Sequence, residues 1–283
     1  MKRFLTYCLL VVVFLGGMFA AFYKVIADQF NQYRNSLLIV DYTNNVADMT
    51  NDDYEAIRVD AQAYNRALTN GAIEDVFTSG DREPSPEYMA QLNLNGDGVM
   101  GYIDIPKIGV MLPIFHTTRE EGLQKGVGHI EGTSLPVGGE TTHCVLAGHR
   151  GLPSARLFTD LDQIEEGDMF YLNILDDTLY YQVDQILTVD PDETGALAIL
   201  PGEDYVTLVT CTPYGVNTQR LLIRGTRVKQ EEAPALLANR DAARELPRWQ
   251  RIVIFAAPVA LVGLVVLAII IACMERRHRS SNE

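Results

Sequence analysis

Two short stretches hold residue types suited to nucleophilic and proton-transfer chemistry. Thr207-Leu208-Val209-Thr210-Cys211 is an apolar run that ends on a cysteine, and Thr212-Pro213-Tyr214-Gly215 follows at once as a turn or loop. A thiol at a strand end beside a loop is open to substrate, and its thiolate is a strong nucleophile. The same residue type is equally at home as a small buried filler, so this segment alone leaves both readings open. Val145-Leu146-Ala147-Gly148-His149 repeats the pattern, with an imidazole at the mouth of a second apolar strand. Such a histidine suits general acid–base work; an ordinary surface or satisfied core histidine is the plainer alternative. Arg220 lies nine residues after Cys211 and opens the strand Leu221-Leu222-Ile223. The loop between them is the right length to bring the chain back antiparallel, with the guanidinium near the sulfur. Arginine is too basic to act as a base; its donors suit holding substrate or stabilising an oxyanion. Arg224 and Arg227 compete for the role, and an exposed strand-end arginine is the bland reading.

Other candidates carry less. Cys144 sits inside an apolar strand five residues before His149, a poor place for a group that must reach substrate, and reads as core. Cys144 and Cys211 lie in the same part of the chain and a disulfide between them is conceivable in an oxidising compartment, but their flanking residues argue against it. Cys8 and Cys273 fall in long apolar stretches and read as fillers. Asn93, Asn95, Asp97, Gly98 and Asp104 approximate a calcium loop. Its first ligand is asparagine, its last is aspartate rather than glutamate, and Val99 to Ile105 reads as strand, so a turn built on Asn-Gly and Asp-Gly explains it. His116, His129 and His143 have no partners at metal-ligand spacing, and CxxC, HExxH and glycine-rich phosphate loops are absent. No metal and no cofactor are expected. A net charge of −14 disfavours nucleic acid as a partner.

The elements that must position these residues read as mainly β. From Val99 onward, β-branched and aromatic runs predict strands over 99–105, 110–115, 143–148, 168–174, 178–189, 205–211 and 219–228, separated by Pro106, Gly138-Gly139, Gly167, Asp176-Asp177 and Gly215. Short strands at this spacing predict a closed or nearly closed β-barrel. Short helical turns fit at 154–161 and 192–200. Upstream, Thr50 with Asp53 forms an imperfect capping box for a helix whose apolar positions run to Leu68 and which Gly71 ends; residues 72–90 read as a loop.

Phe4 to Tyr23 carries no charge, and Ile252 to Cys273 is 22 residues without one. A bilayer core of about 30 Å needs roughly 20 apolar helical residues, so both can span it. Met1-Lys2-Arg3 before the first run also fits a secretory signal, with Phe19-Ala20-Ala21 as a cleavage site. Two spans, with Lys2 and Arg3 at one end and Arg276, Arg277 and Arg279 at the other, predict cytoplasmic termini and an outward-facing middle. Arg240, Arg244, Arg248 and Arg251 crowd the opposite flank of the second span and weaken the asymmetry.

Taken together, these residues resemble the sortase family. Thr-Leu-Val-Thr-Cys at 207–211 is similar to its TLxTC signature, and the histidine strand and downstream arginine stand in the family's order. Gly126-Val127-Gly128-His129, Gly132-Thr133-Ser134-Leu135-Pro136, Gly148-His149-Arg150-Gly151-Leu152-Pro153 and Cys211 to Asn217 extend the likeness; the last two blocks and the second span resemble class C, the pilin-polymerising sortases. The resemblance implies a closed barrel of about eight strands with short helices, Cys211 as nucleophile, His149 as proton-transfer partner and Arg220 as charge stabiliser. It also implies a lid whose Asp-Pro-aromatic tripeptide is here Asp75-Val76-Phe77, with Asp75 pairing with Arg220 and Phe77 covering Cys211. Valine in place of proline leaves that loop less preorganised. The implied substrates are an LPxTG-like sorting signal and a pilin lysine, on the outer face of a Gram-positive cell membrane. The expected organisation is a membrane anchor (or signal) at 1–27, a helical region with the lid at 28–90, the barrel at 91–229, a stalk at 230–251, a second span at 252–273 and a basic tail at 274–283. A housekeeping sortase that uses a peptidoglycan precursor, a peptidase with water as acceptor, and a non-catalytic membrane-bound module are the rival readings.

Overall fold

In a computed structural model of the chain, the described residues are 2–69, 75, 77 and 83–229. The stalk, the second span, the basic tail, Gly71 and Val76 lie outside them. Eight strands follow in chain order: β1 (Val99–Ile105), β2 (Val110–His116), β3 (Val127–His129), β4 (Thr142–Ala147), β5 (Met169–Ile174), β6 (Asp177–Val189), β7 (Asp204–Thr212) and β8 (Gln219–Val228). They close in the order β1-β2-β3-β4-β7-β8-β6-β5. Closure pairs every strand and leaves no edge. The pairs β2/β3 and β4/β7 are parallel and the rest antiparallel.

The seven expected strands are present within a residue or two. The eighth, β3, was not expected: three residues are too few to show a period, and it is recognisable only because it bridges β2 and β4. The core holds Met100, Ile103, Ile114, Leu146, Phe158 and Leu208, all fully buried. Three histidines are tied into it by hydrogen bonds to the protein itself. His129 Nε2 donates to Ser134 O at 2.8 Å while its Nδ1 meets Tyr88 Oη at 2.9 Å, and burial pushes its pKa down to about 4, so the ring is neutral. His143 sits between Ala198 O and Thr207 Oγ1, and His116 between Gly98 O and Gln91 O. The calcium-like segment is a turn closed on itself: Asn93 Oδ1 accepts from Gly98 N and Asp97 Oδ1 from Val99 N, each at 3.0 Å.

The helices depart further from expectation. Two N-terminal segments were read separately, yet α1 runs unbroken over Lys2–Ala47. The chain divides after Phe22, and the unit that starts at Tyr23 includes the barrel. Within that unit, Asn31, Asn35, Ile39, Tyr42 and Val46 form the buried face of α1, while Ile26, Phe30, Tyr33, Leu37 and Val40 on the other face are exposed. Tyr42 Oη donates to Met100 O and accepts from Leu175 N at 2.8 Å, which seats the helix on β1 and the β5–β6 turn. By length and composition α1 is one helix able to cross a membrane. The helix α2 (Asn51–Ala67) opens on the expected capping box, with Thr50 and Asp53 bonded reciprocally. The loop expected over 72–90 contains a short helix, α3 (Pro86–Ala90), started by Ser85 as N-cap and Pro86 in the first turn. The helical turn expected at 154–161 is instead a set of turns before a 3-10 segment at Leu161–Gln163, and 192–200 holds only a 3-10 turn at Gly195–Leu197. The last α-helix among the described residues, α4 (Glu120–Leu123), lies between β2 and β3.

Candidate active site

Strand register assembles the site. In the parallel pair β4/β7, Ala147 faces Val209. The contact continues past the strand end, because Gly148 N donates to Val209 O at 3.0 Å and Thr210 Oγ1 to Gly148 O at 2.7 Å. The same offset carried two residues further places His149 beside Cys211. In the antiparallel pair β7/β8, Cys211 faces Arg220 directly. Neighbouring strands lie about 4.8 Å apart, so three adjacent strands deliver thiol, imidazole and guanidinium to one end of the barrel. Gly148, just before His149, makes room for the Phe158 ring: a Cβ there would stand 2.6 Å from it.

The competing residues sit elsewhere. Arg224 faces Thr207, four positions down the β7/β8 ladder, and is held by Asp184 at 2.8 Å over the Tyr205 ring. Arg227 lies over the Tyr181 ring near Asp204. Cys144 is a fully packed core residue whose thiol burial pushes far up, and it and Cys211 are both free thiols.

Comparison with known proteins fits this geometry. Residues 103–228 match the Sortase domain family. The structure of sortase C from Streptococcus pneumoniae is 46% identical, with a TM-score of 0.63 over 68% of this chain and 96% of that one. Sortase C1 from Streptococcus agalactiae is 49% identical, with a TM-score of 0.61 over 68% of this chain and 98% of that one. The chain belongs to the sortase family. Among curated relatives, sortase D of Bacillus subtilis is 32% identical over 131 residues, and the matched part spans 45% of this chain and 63% of that protein.

In this sortase the three strand-end residues meet two from the segment between α2 and α3. Asp75 takes Arg220 in a bidentate grip, Nε to Oδ1 at 2.6 Å and Nη2 to Oδ2 at 2.8 Å. The remaining guanidinium nitrogen, Nη1, donates to the backbone oxygens of Asn217 and Gln219. Paired fork-to-carboxylate bonds are the strong form of this contact, and here both partners are nearly buried. The Phe77 ring lies 5.2 Å from the Arg220 guanidinium carbon and 5.9 Å from the His149 ring centre. It packs against the apolar group of Ile130, Val145, Ala147, Leu197, Val209 and Leu222. Cys211 is 8% exposed and Arg220 4%. Burial pushes the Cys211 thiol up; Arg220 opposes that and Asp75 adds to it. Burial first and Asp75 second thus favour the thiol form of Cys211, and all three Arg220 nitrogens are engaged by Asp75, Asn217 and Gln219.

Two further contacts went unread in the sequence. Glu120 on α4 accepts from His149 Nε2 at 3.0 Å. Arg150 grips Thr159 O, Thr212 Oγ1 and Asp162 at once, tying the turn after His149 to the residue after Cys211. Arg150 directly follows His149, which was its one visible signal; its reach to Thr212 spans 62 residues.

Proposed function

We propose that this sortase is a membrane-anchored, lidded class C enzyme that joins pilin subunits. The observation that carries the reading is the Asp75–Arg220 grip with Phe77 laid against His149, a closed lid on a strand-end cysteine, in a chain 40–49% identical to sortases C. When the lid lifts, Arg220 loses its carboxylate and Cys211 loses a nearby negative charge, which favours the thiolate. The sulfur attacks the carbonyl between threonine and glycine of an LPxTG-like signal, forming a C–S bond. Arg220 stabilises the oxyanion, a task for which one donor is worth about 3 kcal/mol. As the C–N bond breaks, His149 gives its proton to the departing amine and a thioester remains. A pilin lysine then passes a proton to His149 and attacks the thioester. The C–S bond breaks, an isopeptide bond forms and the thiolate returns. The apolar wall of Ile130, Val189, Leu197, Val209 and Leu222, in a cleft that Asp75, Asp190, Glu193 and Arg220 also line, suits the apolar part of the donor. In this reading α1 anchors the enzyme and the barrel faces outward on a Gram-positive cell.

The test is to incubate the full chain with a sorting-signal pilin and a cell-wall amine together. Lysine-linked pilin ladders that vanish in Cys211→Ala support the reading. Product only with the wall amine would make it a housekeeping enzyme, and hydrolysis alone a peptidase.

A further inference from the structure

Glu120 stands outside the residues given chemistry so far, yet its carboxylate holds the His149 ring. Oε2 accepts from His149 Nε2 and Oε1 accepts from Gln124 Nε2, both at 3.0 Å. The Gln124 and His149 hydrogen bonds keep this carboxyl below its usual pKa. An ionised carboxylate has no proton to donate, so the proton in the contact belongs to Nε2. A neutral imidazole carries one N–H, which leaves the lone pair on Nδ1.

The carboxylate is fixed by what lies behind it. α4 is pinned by buried Leu123 and by Gly122, where a Cβ would stand 3.3 Å from Phe115. From the other side, Asn31 and Asn35 of α1 donate to the backbone oxygens of Gln124 and Lys125 at 3.2 and 2.6 Å. Asn31 and Asn35 hold α4, α4 presents Glu120, and Glu120 orients His149.

We propose that Glu120 is a positioning residue: by accepting from Nε2 it sets the orientation and tautomer of His149, so that proton transfer in both half-reactions runs through Nδ1. Nε2 keeps its hydrogen throughout, and Nδ1 carries the proton to the departing amine and takes one from the acceptor lysine. This rests on the role proposed above for His149.

Nitrogen NMR of the His149 ring in the full chain tests the claim without reference to activity. In the wild type the neutral ring should be protonated at Nε2. Glu120→Ala should give a tautomer mixture, and Glu120→Gln, whose amide oxygen still accepts, should restore the Nε2–H form. In acyl-enzyme assays Glu120→Ala should lower kcat about fivefold with KM for the signal peptide unchanged, as suits a partly exposed contact, and Glu120→Gln should recover most of it. A wild-type ring protonated at Nδ1, an unchanged tautomer in Glu120→Ala, or a rate that stays level or rises would overturn the proposal. His149→Ala separates the two ideas. If it still forms acyl-enzyme, the role of His149 itself fails; if it is dead while Glu120→Ala runs at the wild-type rate, only Glu120 is excluded.

Discussion

The electrostatics around Cys211 set the first test at the residue scale. Burial and Asp75 raise its pKa, while Arg220 lowers it. Removing Asp75 deletes one raising influence and frees Arg220 to act on the sulfur. The pH midpoint for alkylation of Cys211 should therefore move to lower pH in Asp75→Ala, and the rate at neutral pH should rise. Iodoacetamide labelling followed by mass spectrometry reads both, and an unshifted curve with an unchanged rate would argue against a closed lid. Arg220→Lys is the companion test. Lysine cannot reproduce a bidentate grip, so the lid should loosen and labelling rise while kcat falls about a hundredfold. The strand-end places of Cys211, His149 and Arg220 could be read from the sequence, but strand position alone left core and surface readings open, and it was the sortase resemblance that singled the three out. Glu120 was not legible, since its tie to His149 spans 29 residues and depends on where α4, a four-residue helix, packs.

At the scale of elements, the site is a consequence of register. β4 and β7 are parallel neighbours, so a single offset brings His149 beside Cys211, and β8 returns antiparallel to set Arg220 opposite. Strands long enough to show alternation could be read from sequence; β3, three residues long, could not. α3 was missed because Pro84 and Pro86 suggest a loop, although Ser85 as N-cap and Pro86 in the first turn are helix-start signals. The lid hangs between these helices. Asn65 near the end of α2 donates to Leu135 O at 3.2 Å and accepts from Leu135 N at 2.7 Å, in a buried pair of bonds. Asn65→Ala strands the buried Leu135 N–H, while Leu135 O keeps its bond from Val137 N at 2.8 Å; one orphaned buried group costs about 1–3 kcal/mol. Denaturant unfolding should show that loss, and hydrogen exchange should quicken in α2 before it does in the barrel strands. Uniform exchange across both would mean that α2 and the barrel open together.

For the whole molecule, the uncharged N-terminal run foretold α1 as a candidate span. Sequence did not foretell that α1 continues without a break to Ala47, because the period changes when the helix leaves an all-apolar stretch for a one-sided docking face. Orientation is the property left to measure, and the thiols make it measurable. Cys144 is packed in the core, and Cys8 and Cys273 lie in the apolar stretches, so in Asp75→Ala the thiol that the opened lid uncovers is Cys211. A charged maleimide that does not cross membranes, added to intact Gram-positive cells expressing this variant, should label Cys211 at once, and the closed-lid wild type should label slowly. Prior lysis should add little. Labelling that appears only after lysis would place the barrel on the inner face, where a donor and acceptor displayed at the cell surface are out of reach. That single outcome would remove the pilus-building reading and leave the sortase assignment standing.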